Sequence, residues 1–99
     1  MHPTSFQFVM SIPGDSRLVP AVRDLTVHAA TYANLAADVS QRFAQKVAEA
    51  TMSAIDEAGM HDAPIEFRFD GDKQAVRVTI TWSQNGSRAS RQVEQSLST

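Results

Sequence analysis

The chain has 99 residues, 42% of them apolar and 20% charged, a composition that builds one globular core and excludes a disordered polymer. It contains no cysteine, which excludes disulfides, thiolate metal centres and thiol catalysis. The formal net charge is −2, with Arg and Lys scattered along the chain, so the basic stripe that marks a nucleic-acid partner is missing.

The opening Met1-His2-Pro3-Thr4-Ser5 has neither the basic nor the apolar region of a signal peptide. No apolar run approaches the roughly 18 residues that span a membrane. A cytoplasmic protein without a membrane partner is therefore expected. Phe6, Phe8, Met10 and Ile12 alternate with Gln7, Val9 and Ser11, the period of a strand with one apolar face. Pro13-Gly14 ends it. Asp15 and Ser16 are suitable helix N-caps, because their side-chain oxygens accept orphan backbone N–H groups. A helix is predicted from there to about Leu35, with Leu18, Val22, Leu25, Ala29, Tyr32 and Ala36 as its apolar stripe. Pro20 falls in its first turn, where a missing N–H costs little.

After a break over residues 34–38, Asp38 opens a second helix expected from Val39 to Ala58, with Val39, Phe43, Val47, Ala50, Ala54 and Ala58 inward and Met52 and Ile55 widening that face. Gly59 suits a helix C-terminus, and Met60 to Pro64 reads as a loop. Ile65, Phe67 and Phe69 form a second alternating strand, and Val76, Val78, Ile80 and Trp82 a third. A two-residue turn centred on Gly71-Asp72 is expected to join them, setting Phe67 opposite Val76 and Glu66 opposite Arg77. The predicted architecture is an α/β two-layer sandwich of order βααββ. Three antiparallel strands are covered on one face by two long helices within residues 1–82. Residues 83–99 read as a polar tail with one weak helical face, Val93 and Leu97.

The helix segment Glu49-Ala50-Thr51-Met52-Ser53-Ala54-Ile55-Asp56-Glu57-Ala58-Gly59 resembles the N-box helix of GHKL (histidine-kinase-like) ATPases, and of anti-sigma-factor serine kinases in particular. The stretch Ser11 to Val19 followed by Ala21-Val22-Arg23 is similar to the opening strand and helix of those kinases, and the likeness covers Phe6 to Trp82. In that family the N-box Glu is a general base and an Asn four residues later holds magnesium. The resemblance puts Glu49 at the base position and Ser53 near the metal. Ser53 replaces the Asn, Glu57 stands where a His is common, and Trp82 stands where an Asp accepts the adenine amine. Of the glycine motif, Trp82-Ser83-Gln84-Asn85-Gly86 keeps only Gly86. The second glycine box and the ATP lid have no counterpart before Thr99.

These departures make a non-catalytic regulatory or adaptor module the expected function, bound to a protein partner or to itself and using no cofactor. A divergent ATP-dependent serine kinase or ATPase using Glu49, and a small subunit of a larger assembly, are the alternatives. His2, His28 and His61 lack metal-ligand spacing, no Gly-x-Ser-x-Gly elbow is present, and the helix junction lacks the Gly-x-x-Gly loop of a KH domain. With helices on one face of the sheet, the other face presents Gln7, Val9, Ser11, Arg68, Arg77 and Thr79 as the candidate interface. A homodimer through that face, or through the edge formed by Phe6 to Ile12, is one form it would take.

Overall fold

The computed structural model of the chain describes residues 5–58, 64–84 and 86–96. The elements are β1 (Phe6–Pro13), a 3-10 turn (Ser16–Leu18), α1 (Val19–Tyr32), α2 (Ala37–Ala58), β2 (Pro64–Gly71), β3 (Ala75–Gln84) and β4 (Ser87–Ser96). The strands form one four-stranded sheet of order β1-β2-β3-β4, antiparallel throughout. The three-stranded βααββ sandwich is thus corrected to a four-stranded sheet. Residues 87–96 of the expected polar tail supply the fourth strand.

Local chemistry explains most boundaries. Asp15 accepts the backbone N–H of Arg17 at 2.9 Å, so it is the side-chain cap where the chain turns from β1 towards α1. Helix α1 ends at Asn34, whose φ of 71° is left-handed. Leu35 N–H reaches Ala30 C=O and Asn34 N–H reaches Thr31 C=O, the paired bonds of a Schellman ending. Asp38 lies in the first turn of α2, where a negative charge complements the helix dipole.

The β2–β3 turn is not centred on Gly71-Asp72. Observed partners include Phe67↔Ile80, Asp70↔Arg77 and Gly71↔Val76, and Asp72 N–H donates to Ala75 C=O at 3.0 Å, so Lys73 and Gln74 are the residues enclosed by the last pair. Asp72 carries this turn: its carboxylate accepts Gln74 N–H at 2.7 Å and Ala75 N–H at 3.0 Å. Both registers keep the apolar side chains on one face, so face matching alone does not choose between them. The two acceptor bonds of Asp72 do.

The core lies between the inner sheet face and the helices. Phe43, Phe67, Phe69, Ile65, Ile80, Val47, Val76 and Val78 are fully buried, each worth about 1.5–3 kcal/mol of hydrophobic stabilisation. Helix α2 packs on α1, β3 and β4. Thr26 and Thr51 are also buried, and their hydroxyls donate to Val22 and Val47 carbonyls at 2.7 Å, which removes the penalty of burying them. Met52 and Tyr32, expected on apolar stripes, are exposed instead. Gly59 and the loop residues 60–63 lie outside the described residues.

Candidate functional site

Residues on the outer sheet face fall into cross-strand rows fixed by the register. Gln7, Asp70, Arg77 and Glu94 form one row, Val9, Arg68, Thr79 and Gln92 the next, and Ser11, Glu66, Thr81 and Ser90 the third. All six candidate interface residues therefore share one face.

Their chemistry differs from row to row. Arg77 is held by three carboxylates: Asp70 at 2.9 Å, Glu94 at 2.8 Å and Asp72 at 3.3 Å. Hydrogen bonds from Arg77 to Asp70, then Glu94 and Asp72, raise its pKa above the ordinary arginine value. It is a strut that ties β2, β3 and β4 together. Glu66, expected opposite Arg77, accepts from Arg88 of β4 at 2.6 Å. The Arg68 guanidinium has no hydrogen-bond or ion-pair partner among the described residues. It sits mid-face between Val9, which is 64% exposed, and Thr79. A shallow depression of about 370 Å³ surrounds this row, bordered by Val9, Glu66, Arg68, Thr79, Thr81 and Arg88.

Residues placed by the kinase resemblance lie elsewhere. Glu49 is exposed on α2, its carboxylate accepting Gln45 Nε2 at 3.3 Å, and Ser53 follows one turn on, half-buried. A cleft of about 500 Å³ near this end of α2 is lined by Gly14, Asp15, Ser16, Arg17, Met52, Ile55 and Asp56, not by Glu49 or Ser53. Asp15 and Arg17 pair across 2.7 Å there, which raises the Arg17 pKa. Trp82 is 4% exposed and belongs to the core cluster. Its indole Nε1 has no hydrogen-bond partner among the described residues. Among those residues, no three of His, Asp and Glu are grouped as metal ligands, and no helix is long and apolar enough to cross a membrane.

A second feature was not visible in the sequence. Beside the β1 edge, Phe6, Phe8, Leu25, His28, Ala29 and Tyr32 line an apolar groove of about 300 Å³. Phe8 stacks on Phe69 with centroids 4.7 Å apart, and the Phe6 ring meets Tyr32 edge-on at 5.5 Å. Compared with known proteins, the chain matches no family model and no curated protein sequence.

Proposed function

We propose that the chain is a non-catalytic regulatory or adaptor module that binds a protein partner through the outer face of its sheet, at the row Val9–Arg68–Thr79. One observation carries this: Arg68 is the central cation of the face and has no ion pair among the described residues, while Arg77 and Arg88 beside it are matched to carboxylates. A cation beside an exposed valine and a threonine offers a partner an apolar contact, a hydroxyl and a charge in one depression. The regulatory character rests on the resemblance of Phe6 to Trp82 to anti-sigma-factor kinases, with the nucleotide-site departures at Ser53 and Trp82 favouring a non-catalytic role.

Two experiments test it. Wild-type chain and the Arg68→Glu/Thr79→Glu variant are used as baits in extracts of the source cells, with captured proteins identified by mass spectrometry. A partner held by the wild type and lost by an equally stable variant supports the outer face, and equal capture by both removes it. Calorimetric titration with Mg-ATP is the second. Micromolar binding of Mg-ATP, or an activity that Glu49→Gln abolishes, would overturn the non-catalytic assignment in favour of a divergent kinase or ATPase.

A further inference from the structure

Strands β1 and β4 are the two edges of the sheet, and they are built differently. Strand β4 carries Arg88, Arg91 and Glu94. Arg91 is the register partner of Ile80, so a charge points to the inner face, where it approaches Glu57 of α2 at 3.8 Å. Charges along an edge, and above all inward-pointing ones, stop another strand from adding to it. Strand β1 has none of this protection. Its sequence Phe6-Gln7-Phe8-Val9-Met10-Ser11-Ile12-Pro13 contains no charged residue, and a proline enters only at its end. Phe8 is 36% and Tyr32 58% exposed at the groove alongside. An uncharged, aromatic, strongly β-forming edge that no strand among the described residues pairs is a pairing site.

We propose that the β1 edge is completed by β1 of a second copy of this chain, paired antiparallel about a two-fold axis at Val9. This rests on reading the chain as a protein-binding module, and it uses the free edge of β1, which meets the outer-face row only at Val9. A charge-free edge discriminates against charged strands, and β1 is itself charge-free and self-complementary in one register. With Val9 opposite the second copy's Val9, Gln7 faces Ser11, Phe8 faces Met10 and Phe6 faces Ile12. Every pair then matches polar with polar on the outer face or apolar with apolar on the inner face. Moving the axis by half a residue pairs opposite faces and is excluded. Moving it by a full residue sets Gln7 against Val9, or Val9 against Ser11. In the matched register Phe8 meets a thioether, a favourable sulfur–aromatic contact. The two four-stranded sheets become one of eight strands, which joins the two outer faces across the Val9 pair.

The absence of cysteine makes the register directly readable. Opposed residues of an antiparallel pair have Cα atoms about 4.5–5.5 Å apart, within disulfide range. Single variants Gln7→Cys, Val9→Cys and Ser11→Cys are oxidised under identical conditions, and wild type is followed by sedimentation velocity from micromolar to millimolar concentration. The expected result is a monomer–dimer equilibrium in the wild type, with Val9→Cys cross-linking at least tenfold faster than the other two. A charge test supplements it. Gln7→Lys/Ser11→Lys places like charges opposite each other twice and weakens dimerisation at least tenfold, whereas Gln7→Lys/Ser11→Glu restores it. A wild type monomeric at millimolar concentration, equal cross-linking at all three positions, or equal dimerisation by the two charge variants would each overturn the proposal. The two readings share Val9 but are read apart: partner capture is tested at Arg68 and Thr79, and self-association by sedimentation of the chain alone.

Discussion

Gly71 is kept small by an aromatic ring. It is the register partner of Phe6, and a Cβ at Gly71 would stand 2.9 Å from Phe6 Cζ and closer still to Cε1. Gly71 is not in the left-handed region, where Gly86 is the only glycine among the described residues, so its backbone accepts alanine. Gly71→Ala must push the Phe6 ring off its Tyr32 and Phe8 contacts. Overpacking of this kind costs about 1–3 kcal/mol. Opposing it, alanine lowers the entropy of the unfolded chain and stabilises by about 0.4–1 kcal/mol. The net expectation is a loss of about 1–2 kcal/mol. In a Phe6→Ala background the obstruction is gone, and the same change should stabilise by about 0.4–1 kcal/mol. Urea unfolding of the four proteins of this cycle measures both, with an expected coupling of about 1.5–3 kcal/mol. Should Gly71→Ala carry the same sign and size in both backgrounds, the ring is not what holds this position to glycine.

Two further predictions concern turns. The N–H groups of Gln74 and then Ala75, with Arg77 adding to them, hold the Asp72 carboxyl below the usual aspartate range. A depressed folded-state pKa contributes stability above the unfolded value of about 4 and loses it as pH falls through the folded value. Thermal melts from pH 7 to pH 2 should therefore show Asp72→Asn with a lower midpoint at neutral pH and a shallower acid decline, and parallel curves would contradict this. At Asn34, with φ of 71°, Asn34→Gly should stabilise by up to about 1 kcal/mol. Asn34→Val should cost about 1–2 kcal/mol, both read from unfolding midpoints.

The two helices, β2 and β3 are legible because each buries one regular stripe, and β1 because its alternation sets Phe6, Met10 and Ile12 partly buried against the core. Phe67, Phe69, Val76, Val78 and Ile80 are buried where a period of two places them. Strand β4 is not legible in that way. Its inner face carries Ala89, Arg91, Val93 and Gln95 opposite Trp82, Ile80, Val78 and Val76, so half of it is polar and the alternation disappears. A different signal was present. Gln84 and Ser87 are register partners, and the sequence between them is Asn-Gly, a pair that after an alternating strand is a strong hairpin indicator. Read as the remnant of a glycine motif, it did not suggest a turn. The β2–β3 turn departs from the Gly71-Asp72 expectation for the converse reason: a glycine between two strands marks a turn, but tertiary packing against Phe6 explains Gly71. At the candidate interface, alternation put all six residues on one face. It could not tell that Arg77 is bound by carboxylates contributed in part by β4 while Arg68 is not. Nor does any sequence period show the Phe6–Tyr32 groove, which forms where β1 and α1 pack side by side.

The position of β1 also bears on how the sheet assembles. Strands β2, β3 and β4 follow one another in sequence and pair as neighbours, so they can zip locally. Strand β1 reaches β2 only by closing residues 14–63, a loop of about 50 residues whose entropy cost is roughly 3.5 kcal/mol when flexible. Helices α1 and α2 shorten that search only once they have packed on each other. Contacts this distant form late, so β1 is expected to join a hairpin of helices and a three-stranded meander already in place. By the same logic it is the first strand to leave, and native-state hydrogen exchange should find its amides less protected than those of β3. Each departure bares the edge of β2, whose apolar side chains Ile65, Phe67 and Phe69 then need shelter during synthesis and repair.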